Sequence, residues 1–273
     1  MEKDKMLKIY NKEHIENGLS YKKIQEKYNI ERGTWTYYAQ KYNLKYDGRK
    51  YRCNDEYFDV IDSSDKAYIL GFLYADGYIS NDGRIGMLLN EKDIEVMTFI
   101  LNKLCPAKTI KNYNNQSIKR DPQIKFRITS EVLYNRLLEL GFCIDKTNTD
   151  SNILNNIPKD FKKDFIRGYL DGDGNIRCQH LNNESYSIAV SICNGSIQIL
   201  KDIEKYFSNL NIRFAKIKTY SNKSEYYTLS YYRKTEVSKI CEHIYDNDGF
   251  ALERKKHNAL KIIKICSNTE VTI

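Results

Sequence analysis

Along residues 1 to about 45 the apolar positions recur only at helical spacing. Ile24, Tyr28, Ile30, Trp35, Tyr38 and Tyr42 run through "YKKIQEKYNI" and "ERGTWTYYAQKYNL", and Ser20, after Gly18 and Leu19, stands where an N-cap belongs. The pattern predicts three short helices with a tight connection before the last. Residues 46–64, "YDGRKYRCNDEYFDVIDSS", are polar and irregular and read as a linker. From residue 65 the rhythm changes, and then it repeats. A helical apolar run, "AYILGFLYADGYIS", leads to a strand pair ("GYIS", "RIGMLLN"), a helix ("EKDIEVMTFILNKLC"), a second strand pair ("AKTIKNYNN", "QIKFRITS") and a helix ("SEVLYNRLLELGF"). After the polar stretch "TNTDSNILNNIPKD" the series recurs, from "DFIRGYLDGDGNIR" through "NIRCQH", "SYSIAVSI", "SIQILKDIEKYFSNL", "FAKIKTYSN" and "EYYTLSYYR" to "TEVSKICEHIY", and closes on "ERKKHNALKII". The order αββαββα in both copies predicts an α+β fold of two repeats, at 65–150 and 151–273, behind a helical domain at 1–45.

Each repeat opens on the same kind of helix, "ILGFLYADG" (69–77) and "IRGYLDGDG" (166–174). Both carry two small residues four positions apart, Gly71 with Ala75 and Gly168 with Gly172, which lie on one helix face. Small residues there let a second helix approach more closely than the usual 8–10 Å between axes. Each helix ends in Asp followed by Gly, the residue favoured just past a helix C-terminus. Packed side by side in parallel, the helices bring Asp76 and Asp173 together, at ends that already carry the negative pole of the helix dipole. Such neighbours repel, and divalent cations between them resolve the conflict. Mg²⁺ takes one or two carboxylates together with water and phosphate oxygens, and two carboxylates bridged by metal suit phosphodiester hydrolysis. One copy alone reads as a buried helix with a Gly cap; two copies opening matched repeats carry the functional reading.

Charge agrees with a polyanionic partner. The 273 residues carry a net charge of +8, and 23 tyrosines stand among many Asn, Lys and Arg, side chains suited to phosphate and base contacts. An AT-rich coding sequence accounts for the same bias equally well. Seven scattered Cys without a CxxC pair, and four His without ligand spacing, argue against a zinc site and for free thiols. No apolar run reaches the length of a membrane span, and "MEKDKMLKIY" lacks the core of a signal peptide, so an intracellular, non-secreted protein without a membrane partner is expected. The N-terminal helices resemble a helix-turn-helix. The last of them then presents Arg32, Thr34, Thr36, Tyr37 and Gln40 to a groove, unless the unit is only a helical cap.

The paired stretches resemble the LAGLIDADG homing endonucleases, in the form where one chain holds both repeats, over about residues 65–265. "FIRGYLDGDGNI" is close to the family pattern. The first copy departs from it at Tyr74, where the second keeps an acid, Asp171, but the later acidic position is filled in both by Asp76 and Asp173. The resemblance implies two four-stranded antiparallel sheets forming a saddle over double-stranded DNA with a long target site, motif helices at the interface between halves, and a monomer with pseudo-two-fold symmetry. It implies cleavage of both strands with Mg²⁺ (or Mn²⁺) held at Asp76 and Asp173 beside Gly77 and Gly174, with no organic cofactor. It also implies a basic residue near the end of each half that assists the chemistry: Lys146 in "GFCIDKT" and Lys255 in "LERKKH", with Arg254 and Lys256 as competitors. Intron mobility is the biological role such enzymes serve.

Strand alternation proposes which residues face DNA. In "QIKFRITS", Ile124, Phe126 and Ile128 turn inward, and Lys125, Arg127 and Thr129 outward. Lys111 and Tyr113, with Thr109, join them in the first repeat. In the second, Lys216, Lys218 and Tyr220 share a face, Tyr226, Thr228, Ser230 and Tyr232 share another, and Arg177 and Gln179 follow the motif directly. Phosphate contacts give affinity and base contacts give selectivity. The second reading is a non-catalytic nucleic-acid binder on the same fold, a transcription regulator or an intron RNA maturase. The acidic pair argues against it, because a pure binder has no need of two carboxylates facing phosphates.

Overall fold

The computed structural model describes residues 3–17, 19–44, 52–113, 121–144, 152–181, 185–221, 225–246 and 249–269. At the N-terminus, α1 (Lys3–Ile9) runs on into a π-helical turn (Tyr10–Glu16), followed by α2 (Tyr21–Tyr28) and α3 (Arg32–Lys41). Ser20 starts α2 by accepting a hydrogen bond from the Lys23 N–H at 3.3 Å. Asn29 ends it in the left-handed region at φ 49°, a conformation Asn tolerates better than most residues. Met6, Ile9, Ile24, Trp35 and Ala39 make a small core of their own.

The stretch expected to be a linker is packed where it is described. Residues 46–51 lie outside the described residues, but Tyr57, Phe58 and Ile61 are buried in the main core, and the first motif helix begins at Ser64. The apolar side chains inside a polar stretch are the reason. Polar contacts secure the same segment: Ser130 Oγ donates to Asp55 at 2.6 Å, and Arg136 donates to the carbonyls of Phe58 and Asp59 at 3.0 Å each. Arg52 ties the helical unit to this segment by donating to the His14 carbonyl.

The first repeat is α4 (Ser64–Asp76), β1 (Gly77–Ser80), β2 (Arg84–Asn90), α5 (Ile94–Leu104), β3 (Lys111–Tyr113), β4 (Gln123–Thr129) and α6 (Glu131–Glu139). The second is α7 (Lys162–Asp173), β5 (Gly174–His180), β6 (Tyr186–Asn194), α8 (Ile197–Asn209), β7 (Lys216–Ser221), β8 (Glu225–Tyr231) and α9 (Lys234–Tyr245), with α10 (Glu253–Thr269) added. The sheets are antiparallel with matching orders, β1-β2-β4-β3 and β5-β6-β8-β7. One face of each is apolar. Ile85, Met87, Leu89, Ile124, Phe126 and Ile128 bury the first sheet, and Ile176, Ile188, Val190, Ile192, Leu229 and Tyr231 the second. Helices such as α8, with Ile199, Leu200, Ile203 and Phe207 on one stripe, cover these faces. The other face of each sheet stays polar, which gives the two halves of the saddle.

Candidate active site

The helices α4 and α7 touch backbone to backbone. A Cβ on Gly71 would lie 2.0 Å from the Phe165 carbonyl oxygen, and one on Gly168 would lie 2.0 Å from that of Tyr68. The two glycines therefore permit the same approach from opposite sides. Further along, a Cβ on Gly172 would meet the Ala75 Cβ at 2.4 Å and Asp76 Oδ2 at 3.1 Å. The Asp76 carboxylate thus lies against Gly172, whose chain neighbour is Asp173. Asp76 and Asp173 are the last residues of α4 and α7, and the first strand of each sheet starts at the next residue.

The junction glycines serve a different purpose from the left-handed helix cap the sequence suggested. Gly77 (φ −79°) and Gly174 (φ −86°) are extended. What excludes a side chain is space: a Cβ would lie 2.5 Å from the carbonyl oxygen of Leu73 or of Leu170. The chain turns from helix into strand directly under the last helical carbonyls, so each carboxylate sits at the head of a strand.

A cation answers the negative end of α7. Lys255, on α10, is buried, and its Nζ donates to the carbonyls of Leu170 (2.7 Å), Asp171 (2.6 Å), Gly172 (3.2 Å) and Gly174 (2.7 Å). Its pKa is lowered to about 8, chiefly by burial, with the nearby Asp171 carboxylate opposing the shift and Arg254 adding to it. Arg254, its neighbour, pairs with Asp93 at 3.2 Å, and Lys256 is half-buried. Lys146 lies outside the described residues.

Asp171 is buried as well. Its Oδ2 accepts from the Tyr68 hydroxyl (2.8 Å) and the Leu252 N–H (2.7 Å), and Oδ1 from the Tyr245 hydroxyl (2.7 Å). Burial raises its pKa, against the pull of these donors and of Lys255. The network joins α4, α7, α9 and the start of α10, and so holds Lys255 in register. The first repeat has no such acid. Tyr74 packs there edge-on to Phe142 at 5.3 Å and beside Tyr169 at 5.9 Å. At the far end of the helix pair, Arg167 binds Asp164 (2.8 Å), Ser64 Oγ (3.0 Å) and the carbonyls of Ile244 and Phe250.

On the polar face of the first sheet, Arg127 and Thr129 are exposed and Lys125 is half-buried, with its Nζ 4.2 Å from the centre of the Tyr113 ring. Lys108, Thr109, Lys111, Lys125, Arg127 and Thr129 line one groove there. On the second sheet, Arg177, Gln179, Lys216, Lys218 and Tyr220 are exposed and Thr228 is half-buried. Two residues differ from the alternation argument. Ser230 points the expected way but is buried, between its cross-strand neighbours Ser191 and Lys216. Tyr232 is exposed but lies beyond the end of β8 at Tyr231. In α3, Arg32, Thr34, Thr36, Tyr37 and Gln40 are all exposed.

Residues 160–245, nearly the whole second repeat, match the model of the LAGLIDADG-like domain. The second repeat thus carries a LAGLIDADG-like domain, and the first repeats its order of elements. The solved structures it resembles include meganuclease I-SmaMI bound to uncleavable DNA (TM-score 0.51, 13% identity, 75% of this chain and 89% of that one). LAGLIDADG meganuclease I-CpaMI bound to uncleaved DNA is similar too (0.50, 13%, 75% and 92%), as is LAGLIDADG homing endonuclease I-GzeII in complex with its DNA target (0.50, 10%, 75% and 90%). No curated protein matches the chain significantly. The likeness covers the two repeats' fold, the saddle of two sheets hung from the paired helices α4 and α7.

The donor chemistry at those helix ends suits a hard divalent cation. Asp76 and Asp173 stand at the heads of two strands, with the Asp76 carboxylate against Gly172, and among the described residues no group of three or more His, Cys, Asp and Glu gathers. Mg²⁺ is held by one or two carboxylates, the remaining positions being filled by water and substrate phosphate. Among the described residues, no helix is long and apolar enough to cross a membrane.

Proposed function

We propose that this protein is a LAGLIDADG-type site-specific endonuclease that cuts both strands of a long duplex target with Mg²⁺ or Mn²⁺ held by Asp76 and Asp173, beside the backbone of Gly77 and Gly174. The observation that carries this reading is the Asp76 carboxylate seated against Gly172, next to Asp173, at the one place where both helices pass into both sheets. Such a pair lies where two phosphates, one from each strand, come nearest to the pseudo-two-fold axis.

The chain's own residues do the positioning. Gly71 and Gly168 set the separation of the helices, and with it the separation of the carboxylates. Lys255 neutralises the α7 terminus that carries Asp173, which makes it a positioning residue acting through the helix backbone. A divalent cation bound there supplies Lewis-acid chemistry and lowers the pKa of water. The basic side chains Lys111, Lys125, Arg177, Lys216 and Lys218 on the outer faces bind phosphates, Arg127 faces the duplex among them, and Gln179, Tyr113, Tyr220 and Thr228 add polar contacts. The α3 helix, with Arg32, Thr34 and Gln40 exposed, extends the contact along the duplex, and the protein acts as a monomer.

The test is incubation of the protein with a randomised duplex library in Mg²⁺ and recovery of cut molecules. One long enriched sequence, cut on both strands, supports the reading. Selective binding in both Ca²⁺ and Mg²⁺ with no product in either contradicts it and favours a non-catalytic binder.

A further inference from the structure

The first sheet carries a cross-strand device that the second lacks. Tyr78, two residues past Asp76, pairs across the ladder with Gly86, and Gly86 pairs with Arg127. The hydroxyl end of the Tyr78 ring lies over Gly86: a Cβ at that position would meet Tyr78 Cζ and Oη at 2.5 Å each. Laid across the bare backbone, the ring reaches the next strand, and Arg127 Nε donates to the Tyr78 hydroxyl at 3.2 Å. A glycine inside a central strand loses packing and entropy, so a close approach over it is the reason for its presence. Arg84, on the same face, is held differently, by Asp82.

The hydrogen bond uses Nε and fixes the guanidinium plane. Its two terminal nitrogens, on the edge away from the tyrosine, make no hydrogen bond among the described residues. A fork held in one plane is the group that reads guanine, through O6 and N7 together, in the major groove. The equivalent row of the second sheet is Asn175, Ser191 and Ser230, three short side chains with Ser230 buried. The row lies beside the acid-bearing helix end in each half, so the difference falls near the centre of the DNA site.

We propose that Arg127 reads a guanine in the half-site under the first sheet, close to the cleavage centre, with Tyr78 and Gly86 as positioning residues that hold its guanidinium ready. This rests on the saddle binding duplex DNA as proposed above, and it makes the site asymmetric: the matching position under the second sheet lacks an equally strong guanine preference.

The experiment is binding selection from a randomised duplex library in Ca²⁺, followed by competition against every single-base variant of the selected site. The wild type is expected to favour one G·C pair near the centre of one half by roughly tenfold or more over the other bases, the discrimination a bidentate contact gives. Arg127→Ala should flatten that position alone, and Tyr78→Phe and Gly86→Ala should each weaken it several-fold, the rest of the profile being unchanged. Tyr78→Phe removes one hydroxyl and keeps the ring, so it carries the test even where Gly86→Ala fails to fold. An unchanged profile in Tyr78→Phe and Arg127→Ala would overturn the proposal, and so would a loss spread evenly over all positions, which marks a phosphate contact or a merely structural role. Failure here is distinct from failure of the nuclease reading: a site cut in Mg²⁺ with an unchanged Arg127→Ala profile sinks only the guanine contact, whereas selective binding without cutting sinks only the nuclease.

Discussion

The Lys255 ammonium lies 2.6 Å from the carbonyl oxygen of Asp171, so the negative end of α7 is closed by a buried cation from α10. A carboxylate at a helix C-terminus is disfavoured by the dipole, and Asp173 stands there because Lys255 donates to the terminal carbonyls around it. The Asp171 carboxylate, buried beside them, compensates the charge of the lysine.

Replacing Lys255 with Met should therefore slow cutting while leaving DNA affinity nearly unchanged. The pH dependence separates this role from a general loss of fold. In the folded protein Lys255 loses its proton near pH 8, in the unfolded chain near 10.5. The unfolded state then holds more protons between those values, so stability rises with pH across that window relative to Lys255→Met, by up to roughly 3 kcal/mol. Cutting should move the other way, falling above about pH 8 as the cap loses its charge, and Lys255→Met should lack that descending limb. Urea melts and single-turnover rates from pH 7 to 10.5 read both; parallel behaviour of the two proteins contradicts the assignment.

The helix contact leaves no room for one methyl group. Gly168→Ala puts a Cβ 2.0 Å from a backbone oxygen, which forces the helices apart and should cost about 1–3 kcal/mol or more. In Gly172→Ala the clash is with the Ala75 side chain, and Asp76 Oδ2 is the next atom met. That variant should lose cutting out of proportion to its stability, and comparison of the two by denaturant melts and cleavage rates tests the distinction.

Asp171 accepts hydrogen bonds from three donors and offers none in its ionised form. Asn at this position turns one acceptor into a donor facing a donor, and should destabilise the protein by about 1–3 kcal/mol. The Asp171→Asn change should also relax the start of α10, seen as faster amide exchange at Leu252 and Lys255 than in the wild type.

Much of this was legible in the chain because the same signal occurs twice. The Gly-Ala and Gly-Gly faces, each ending in Asp, made sense only as a pair, and strict alternation in "QIKFRITS" placed Ile124, Phe126 and Ile128 inside without any structure. What stayed hidden depends on angles between distant elements. Arg254, Lys255 and Lys256 are equivalent in sequence, and only the approach of α10 turns Lys255 toward α7 and Arg254 toward Asp93. Strand length misled at Tyr232, since nothing in "EYYTLSYYR" marks where pairing ends. Tyr78 could have been found by the alternation that placed Arg127, but its reach across Gly86 could not, because it depends on β1 and β4 flanking β2.

In the N-terminal unit, Glu13 is buried and accepts from Tyr28 Oη at 2.7 Å, Lys27 Nζ at 2.9 Å and Asn17 Nδ2 at 3.2 Å. Chiefly through the Tyr28 and Lys27 contacts its pKa falls to about 2. A depressed carboxylate stabilises above its ordinary pKa of 4.5 and loses that contribution as pH falls through about 2. Glu13→Gln should therefore melt earlier than wild type at pH 6, with the gap closing in acid. The indole of Trp35, buried in the same small core, reports this unit's melting by fluorescence.

The most direct measurement of the central claim is cleavage of the selected duplex in Mg²⁺ by the wild type, Asp76→Asn, Asp173→Asn and the double variant, with binding measured alongside in Ca²⁺. The account predicts normal affinity in all four, severe loss of cutting in each single variant and no product from the double variant. Wild-type cutting by the doubly substituted protein would contradict it.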